Sequence, residues 1–203
     1  MDGKEFNMNI ENRLLAVDGP DKRSRPRGDR AVTHVVLHFM SNVAQNQDDP
    51  YDVEQVRQIF VDYELSSHYL IARDGLVVKL VEEDRVAWHA GKGFLDEFPD
   101  YRDKLNNYSI GVEFLAIGSR EEMAPKYISR AAYDRLAPGL IGYTEEQYSA
   151  VNELLAEIYG RHPAIVRNRR HVIGHDEYAG PRQRPNNPKV DPGRLFDWNR
   201  IRV

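Results

Sequence analysis

Residues Ala31–Phe39 read AVTHVVLHF, a run of β-branched and apolar side chains with the length and composition of one buried strand. Working downstream, Asp52 and Gln55 have the spacing of a capping box. Val53, Val56, Ile59, Phe60 and Tyr63 then recur at helical period. His68–Ala72 and Leu76–Val81 are strand-like runs around Arg73-Asp74-Gly75, and Asp-Gly between such runs signals a hairpin. Ser109–Leu115 (SIGVEFL) predicts another strand. Pro125 and Pro138 punctuate residues 116–143, where Tyr127–Leu136 predicts a short helix. Thr144 and Gln147 form a second capping box, followed by Tyr148, Val151, Leu154, Leu155 and Ile158 at helical spacing, with Gly160 placed to end the helix. His171–His175 predicts a short strand, residues 176–192 a Pro-rich loop, and Arg194–Ile201 a closing helix. Strand and helix segments alternate without a dividing linker, which predicts a single α/β (α+β) domain over residues 31–203. The hairpin argues for a mixed central β-sheet flanked by helices rather than a purely parallel one.

Upstream, residues 1–30 read as an N-terminal arm or wrap. DKRSRPRGDR at 21–30 carries five basic and two acidic residues. The plain expectation there is a solvated basic linker, and the sharper one an arm that binds polyanions. The chain as a whole has 28 Lys and Arg against 32 Asp and Glu, a net charge of −4, which speaks against a nucleic-acid module. No apolar run approaches the ~20 residues of a membrane span. MDGKEFNMNIENRLLAV at the N-terminus lacks the apolar core of a signal peptide. The expected setting is therefore cytoplasmic or released by a phage or host, or the envelope if a leader has been trimmed. Oligomeric state is not legible in the sequence.

The 203 residues include seven His and no Cys. A disulfide framework, a thiolate zinc site, an iron–sulfur cluster and a Cys nucleophile are all excluded. Any metal site must use His, Asp and Glu. His34 and His38 share one face of a strand but lie about 13 Å apart at ~3.3 Å per residue, so one ion cannot bind both. The same holds for His171 and His175. The C-terminal member of each pair sits where a strand ends, which favours His38 and His175; a packed core histidine is the alternative. His162, before Pro163, reads as a solvated loop residue. Asp191, in KVDPG, is a candidate third ligand or else the cap of the last helix. Glu113, in the middle of an apolar strand, is either turned to solvent or set over a site where it would suit a general base. Lys189 is either a surface loop lysine or a cation beside the same centre.

Together these segments resemble the type 2 N-acetylmuramoyl-L-alanine amidase family, which includes the peptidoglycan recognition proteins. HVVLH at 34–38 is similar to the strand ending in the family's first zinc His, and SSHYLIARDG at 66–75 to its Ser-x-His-Tyr hairpin entry. AWHAG at 87–91, NNYSIGVEF at 106–114 and GHDEYAGPRQRPNNPKVDPG at 174–193 follow in the family's order. The resemblance implies the family's fold and one zinc ion held by His38, His175 and Asp191. It implies Glu113 as catalytic acid/base and Lys189 as stabiliser of the developing oxyanion. His89 and Trp88 would line the substrate groove, and His68 would be structural or groove-lining. The implied reaction is hydrolysis of the amide between N-acetylmuramic acid and L-alanine, with peptidoglycan or a muropeptide as substrate. A non-catalytic peptidoglycan-binding module of the same fold is the alternative, and the complete ligand set favours the enzyme.

Three features depart from the family pattern. The 16 positions from His175 to Asp191 exceed the interval in compact members, through an insertion around residues 182–188. Phe39 follows the first zinc His, where recycling enzymes often carry Asn. Residues 116–143 match no motif of the family.

Overall fold

The computed structural model describes residues 10–203; expectations for the first part of the arm fall outside the described residues. The elements are β1 (Ile10–Asn12), β2 (Ser24–Pro26), β3 (His34–Met40), α1 (Val53–Asp62), β4 (Tyr69–Ile71), β5 (Val77–Lys79) and β6 (Arg85–Ala87). They continue with β7 (Ser109–Leu115), α2 (Arg120–Met123), α3 (Arg130–Tyr133), α4 (Glu145–Arg161), β8 (Val172–Gly174) and α5 (His175–Ala179). A six-stranded sheet runs β1-β5-β4-β7-β3-β8, and β2 pairs with β6 in a separate two-stranded ribbon. Among the described residues only the β4–β5 hairpin is antiparallel within the large sheet, so the sheet is mixed, as expected from Asp74-Gly75.

The adjacent long strands β3 and β7 are buried on both faces, but the faces differ in use. Val35 and Leu37 of β3 and Ile110, Val112 and Phe114 of β7 pack against Val151, Leu154, Leu155 and Ile158 of α4. Full burial of each such side chain contributes about 1.5–3 kcal/mol. The alternate residues, His34, Val36 and His38 of β3 with Gly111, Glu113 and Leu115 of β7, lie on the other face. There α1 covers one end through Val56 and Phe60, which pack on Leu70, Val78 and Leu115. Val36, Ala90, Leu105, Ile173 and Tyr178 close the other end. His38 and Glu113 sit where these two coverings meet.

Several boundaries differ from the pattern-based expectation. α4 runs through Gly160 to Arg161 and is capped by His162, whose N–H donates to Ile158 O. The extension is held by Glu83, which accepts from Arg161 Nε and Nη2 at 2.9 Å, from His162 Nε2 at 2.8 Å and from Tyr69 Oη at 2.7 Å. His162 is thus a partly buried hydrogen-bond partner of Glu83 rather than a solvated loop residue. The strand expected at His171–His175 spans only Val172–Gly174; His175 instead opens α5, whose first turn is capped by Glu177 accepting from Gly174 N–H at 2.7 Å. The helix expected at Tyr127–Leu136 shortens to α3, capped by Ser129, and that at Arg194–Ile201 to one 3-10 turn at Trp198–Arg200. At Asp52 half of the expected box forms: its carboxylate accepts from Gln55 N–H, while the Gln55 side chain accepts from Asn42 and Asn46.

Residues 10–30 wrap the sheet. β1 adds to β5 as a parallel edge strand, and β2 pairs with β6. Arg23 and Arg27 are buried, which overturns the reading of 21–30 as a solvated linker or polyanion arm for these two residues. Arg23 donates to Val61 O at 2.6 Å. Arg27 donates to the backbone carbonyls of Glu83, Arg85, Asn106, Asn107 and Ser109. A guanidinium carries five donors in a rigid fork, so it can bind several carbonyls that β6 and the segment before β7 leave without partners.

Candidate metal centre

His38 reaches the open face from β3, His175 from the first residue of α5, and Asp191 from the chain returning after α5. His38 Nδ1 lies 3.1 Å from His175 Nδ1 and 2.8 Å from Asp191 Oδ2, and His175 Nδ1 lies 3.0 Å from the same oxygen. Both rings are buried, and the carboxylate is nearly so. These three residues form the group able to hold a metal ion among the described residues. Burial, with His175 beside it, pushes the His38 pKa down to about 4 and keeps the ring in its uncharged, ligating form. His175 Nε2 lies 3.0 Å from Ala90 O, a group that only accepts, so Nε2 carries a proton and, in the uncharged ring, Nδ1 offers a lone pair toward Asp191. Two acceptors, His175 Nδ1 and Asp191 Oδ2, thus face each other at 3.0 Å in a buried place. That geometry suits a shared cation.

The segment carrying Asp191 is tied down at its base. Lys189 N–H donates to Ala179 O at 2.9 Å, Asp176 N–H to Asp191 O at 3.0 Å, and Tyr143 Oη to Pro192 O at 2.6 Å. The long interval after His175 is therefore looped out without displacing the carboxylate. Tyr143 belongs to the excursion after β7 that matched no motif.

Glu113 pairs in register with His38 across β3 and β7, and is buried. Burial, reinforced by the Asp191 charge, pushes its carboxyl well above the usual range, with Lys189 opposing. Glu113, Lys189, Trp88 and the three convergent residues line one cleft of about 410 Å³, whose far wall is Ile59, Phe60 and Tyr63 of and beside α1. A neighbouring cleft of about 600 Å³ shares Lys189 and Val190 with it. That second cleft is walled by residues from the excursion after β7, such as Glu121 and Pro125, and from the 182–188 insertion, such as Asn186 and Pro188.

The remaining histidines separate cleanly. His34 and His171 stack at 5.0 Å beside Phe98 and Tyr101, at the far end of β3. His68 is fully buried and does not reach the cleft: its Nδ1 accepts from Gly111 N–H at 3.0 Å, so its place is structural. His89 does border the cleft, but it also stands behind His38, its Nδ1 at 3.0 Å from His38 Nε2. Pattern reading missed the partners that hold these rings: Ala90 O, Ser109 and Gly111. A glycine inside an otherwise apolar strand, as in SIGVEFL, is a sign of close approach that could have pointed to Gly111.

Residues 28–194 match the family model described as N-acetylmuramoyl-L-alanine amidase. The chain is 28% identical over 192 residues to the 1,6-anhydro-N-acetylmuramyl-L-alanine amidase AmpD of Haemophilus influenzae, covering 89% of this chain and 84% of that protein. To the AmpD of Enterobacter cloacae it is 33% identical over 137 residues, covering 68% of this chain and 55% of that protein. In that comparison the chain spans little more than half the length of its relative. A crystal structure of a selenomethionine AmpD derivative superposes with a TM-score of 0.58 at 25% identity, covering 94% of this chain and 92% of that one. The Escherichia coli amidase AmiD, solved with the substrate anhydro-N-acetylmuramic acid-L-Ala-D-gamma-Glu-L-Lys, has the same fold at a TM-score of 0.55 and 24% identity, covering 86% of this chain and 56% of that one.

Proposed function

This chain belongs to the N-acetylmuramoyl-L-alanine amidase family, and on that premise we propose that it hydrolyses the amide between N-acetylmuramic acid and L-alanine in peptidoglycan or muropeptides. The observation that carries the proposal is the convergence of His38, His175 and Asp191 within 3.1 Å, with Glu113 and Lys189 on the same cleft.

Two imidazoles and one carboxylate are a donor set that zinc takes in catalytic sites, leaving a position free for water or substrate. His38, His175 and Asp191 would hold one zinc ion. When bound, zinc supplies Lewis acidity, polarising the amide carbonyl and bringing the acidity of water to a pKa near ~7. Glu113 takes the proton of the attacking water and passes it to the nitrogen of the leaving amine. Its buried position suits this exchange, because burial raises its proton affinity. The Lys189 ammonium faces the negative charge that develops on the carbonyl oxygen; loss of such a donor typically costs ~10²–10³ in rate. Trp88 and Tyr63 supply apolar walls for the bound ligand.

Mass spectrometry of products from intact sacculi and from soluble anhydro-muropeptides tests the proposal. The expected result is release of free stem peptides beginning with L-alanine, abolished by EDTA and restored by zinc. Binding to sacculi without release would instead identify a peptidoglycan-binding module. Cleavage of a different bond would overturn the assigned reaction.

A further inference from the structure

A row of hydrogen bonds runs back from His38 into the protein, and its polarity can be read from the far end. Leu105 O is a backbone carbonyl and can only accept, so the Ser109 hydroxyl 2.8 Å away donates to it. That hydroxyl has one proton. Ser109 Oγ must therefore accept from His89 Nε2, 3.2 Å away, which places the His89 proton on Nε2. His89 Nδ1 is then a lone pair, and it accepts from His38 Nε2–H at 3.0 Å. His38 Nδ1 is left without a proton, facing His175 Nδ1 and Asp191 Oδ2.

We infer that Ser109 and His89 are positioning residues, a relay anchored on Leu105 O that sets the tautomer and ring angle of His38 so that Nδ1 is offered to the metal. The inference rests on the reading of His38, His175 and Asp191 as metal ligands. With the relay set this way, three lone-pair atoms converge and no proton lies between them, an arrangement that is unfavourable until a cation enters.

Three further observations support it. The first is space. Gly111 sits in the middle of β7, and a Cβ there would lie 2.6 Å from His89 Cγ and 2.7 Å from Ser67 Oγ. Any side chain at 111 would push His89 out of line. The second is the backbone of the relay. Asn106 Oδ1 accepts from both His89 N–H and Ala90 N–H, at 3.2 and 2.8 Å. One side chain thus places both groups that accept from the two metal histidines, the His89 ring and Ala90 O. The third is the anchor of Asn106 itself, whose carbonyl accepts from buried Arg27 along with the carbonyls of Asn107 and Ser109. The N-terminal wrap thereby reaches the site through two contacts.

Zinc would impose the same tautomer on His38, so the zinc-free full-length protein is the deciding sample. Nitrogen-15 NMR of the histidine rings should find His38 already protonated on Nε2 and bare on Nδ1 before metal is added. The His89→Phe variant keeps a ring of similar size but no acceptor; its zinc-free His38 should populate both tautomers, and its zinc affinity, measured by competition with a chromogenic chelator, should fall ~10–100-fold. His89→Gln keeps a side-chain acceptor and should recover part of that loss. Circular dichroism confirms that the variants fold. A zinc-free wild-type His38 protonated on Nδ1 would overturn the relay, and so would unchanged zinc affinity in a folded His89→Phe. Should that variant not fold, the wild-type tautomer alone decides. Failure of the wild-type protein to bind zinc would instead overturn the ligand assignment on which the relay depends.

Discussion

His38 and Glu113 face each other as register partners in the parallel pair β3–β7. A candidate metal ligand and a candidate general base are therefore fixed by one backbone ladder, with no loop between them, and sites built on strands hold their geometry more closely than sites on loops. Replacing Glu113 with Gln keeps the volume and removes the proton acceptor. The expected outcome is an unchanged zinc content by elemental analysis with activity reduced ~10²–10⁴-fold. Equal clearing of a peptidoglycan zymogram by variant and wild type would remove Glu113 from the mechanism.

Asp191 is the one carboxylate in the convergent group, and it is delivered by a segment tied down at Lys189, Asp191 O and Pro192. In Asp191→Ala these backbone ties persist while the charge is gone. The variant should fold, with a far-ultraviolet spectrum like that of wild type, and should lose most of its bound zinc. Stoichiometric zinc in Asp191→Ala would exclude this residue as a ligand.

Two glycines should respond in opposite directions to the same substitution. Gly111→Ala places a methyl against the His89 ring and Ser67, an overpacking expected to destabilise by ~1–3 kcal/mol and to weaken zinc binding. Gly160, inside α4, has open space where a Cβ would go, and Gly160→Ala should stabilise by ~0.5–1 kcal/mol. Thermal melts of the two variants beside wild type check both signs.

Glu83 accepts from Tyr69, Arg161 and His162, and these bonds hold its carboxyl well below the usual range against the cost of its burial. A folded-state pKa below the unfolded one (~4.3) gives stability that is present above that value and is lost as pH falls through it toward the folded pKa. Glu83→Gln should therefore lower Tm at neutral pH, and the gap from wild type should close as the solution is acidified below about pH 4. A gap that is constant with pH would show that packing rather than charge holds this corner.

The parts of the fold legible in the sequence are those set by local pattern. β7 spans Ser109–Leu115 as its apolar run predicts, and α4 starts at its capping box. β1 and β2 were not legible because their short, polar sequences pair with distant strands, and because Arg27 is held by carbonyls from residues 83–109 that no local window contains. The end of α4 was misplaced for a related reason: Gly160 is a stop signal, but Glu83, far away in sequence, draws Arg161 and His162 into the capping turn. In the site, the spacing argument that separates His38 from His34 holds because both lie on β3; for His171 and His175 its premise fails, since both lie outside β8, yet His171 still packs on His34 and His175 on His38. The distinction between a ring that lines a groove and a ring that holds another ring depends on what lies behind His89 and His68. That is a matter of tertiary packing, which spacing does not encode.

The bond between Lys189 N–H and Ala179 O closes residues 180–188 into a loop pinched at its neck. Closing a loop costs only about 0.6 kcal/mol more for each doubling of its length, so such a segment can be lengthened or replaced with little effect on what lies beyond the pinch. It also walls the larger of the two clefts. The segment is in this sense an exchangeable cassette. Swapping it for another sequence would reshape the surface beside the candidate site while His38, His175 and Asp191 keep their places, which makes it the natural position for varying selectivity by graft.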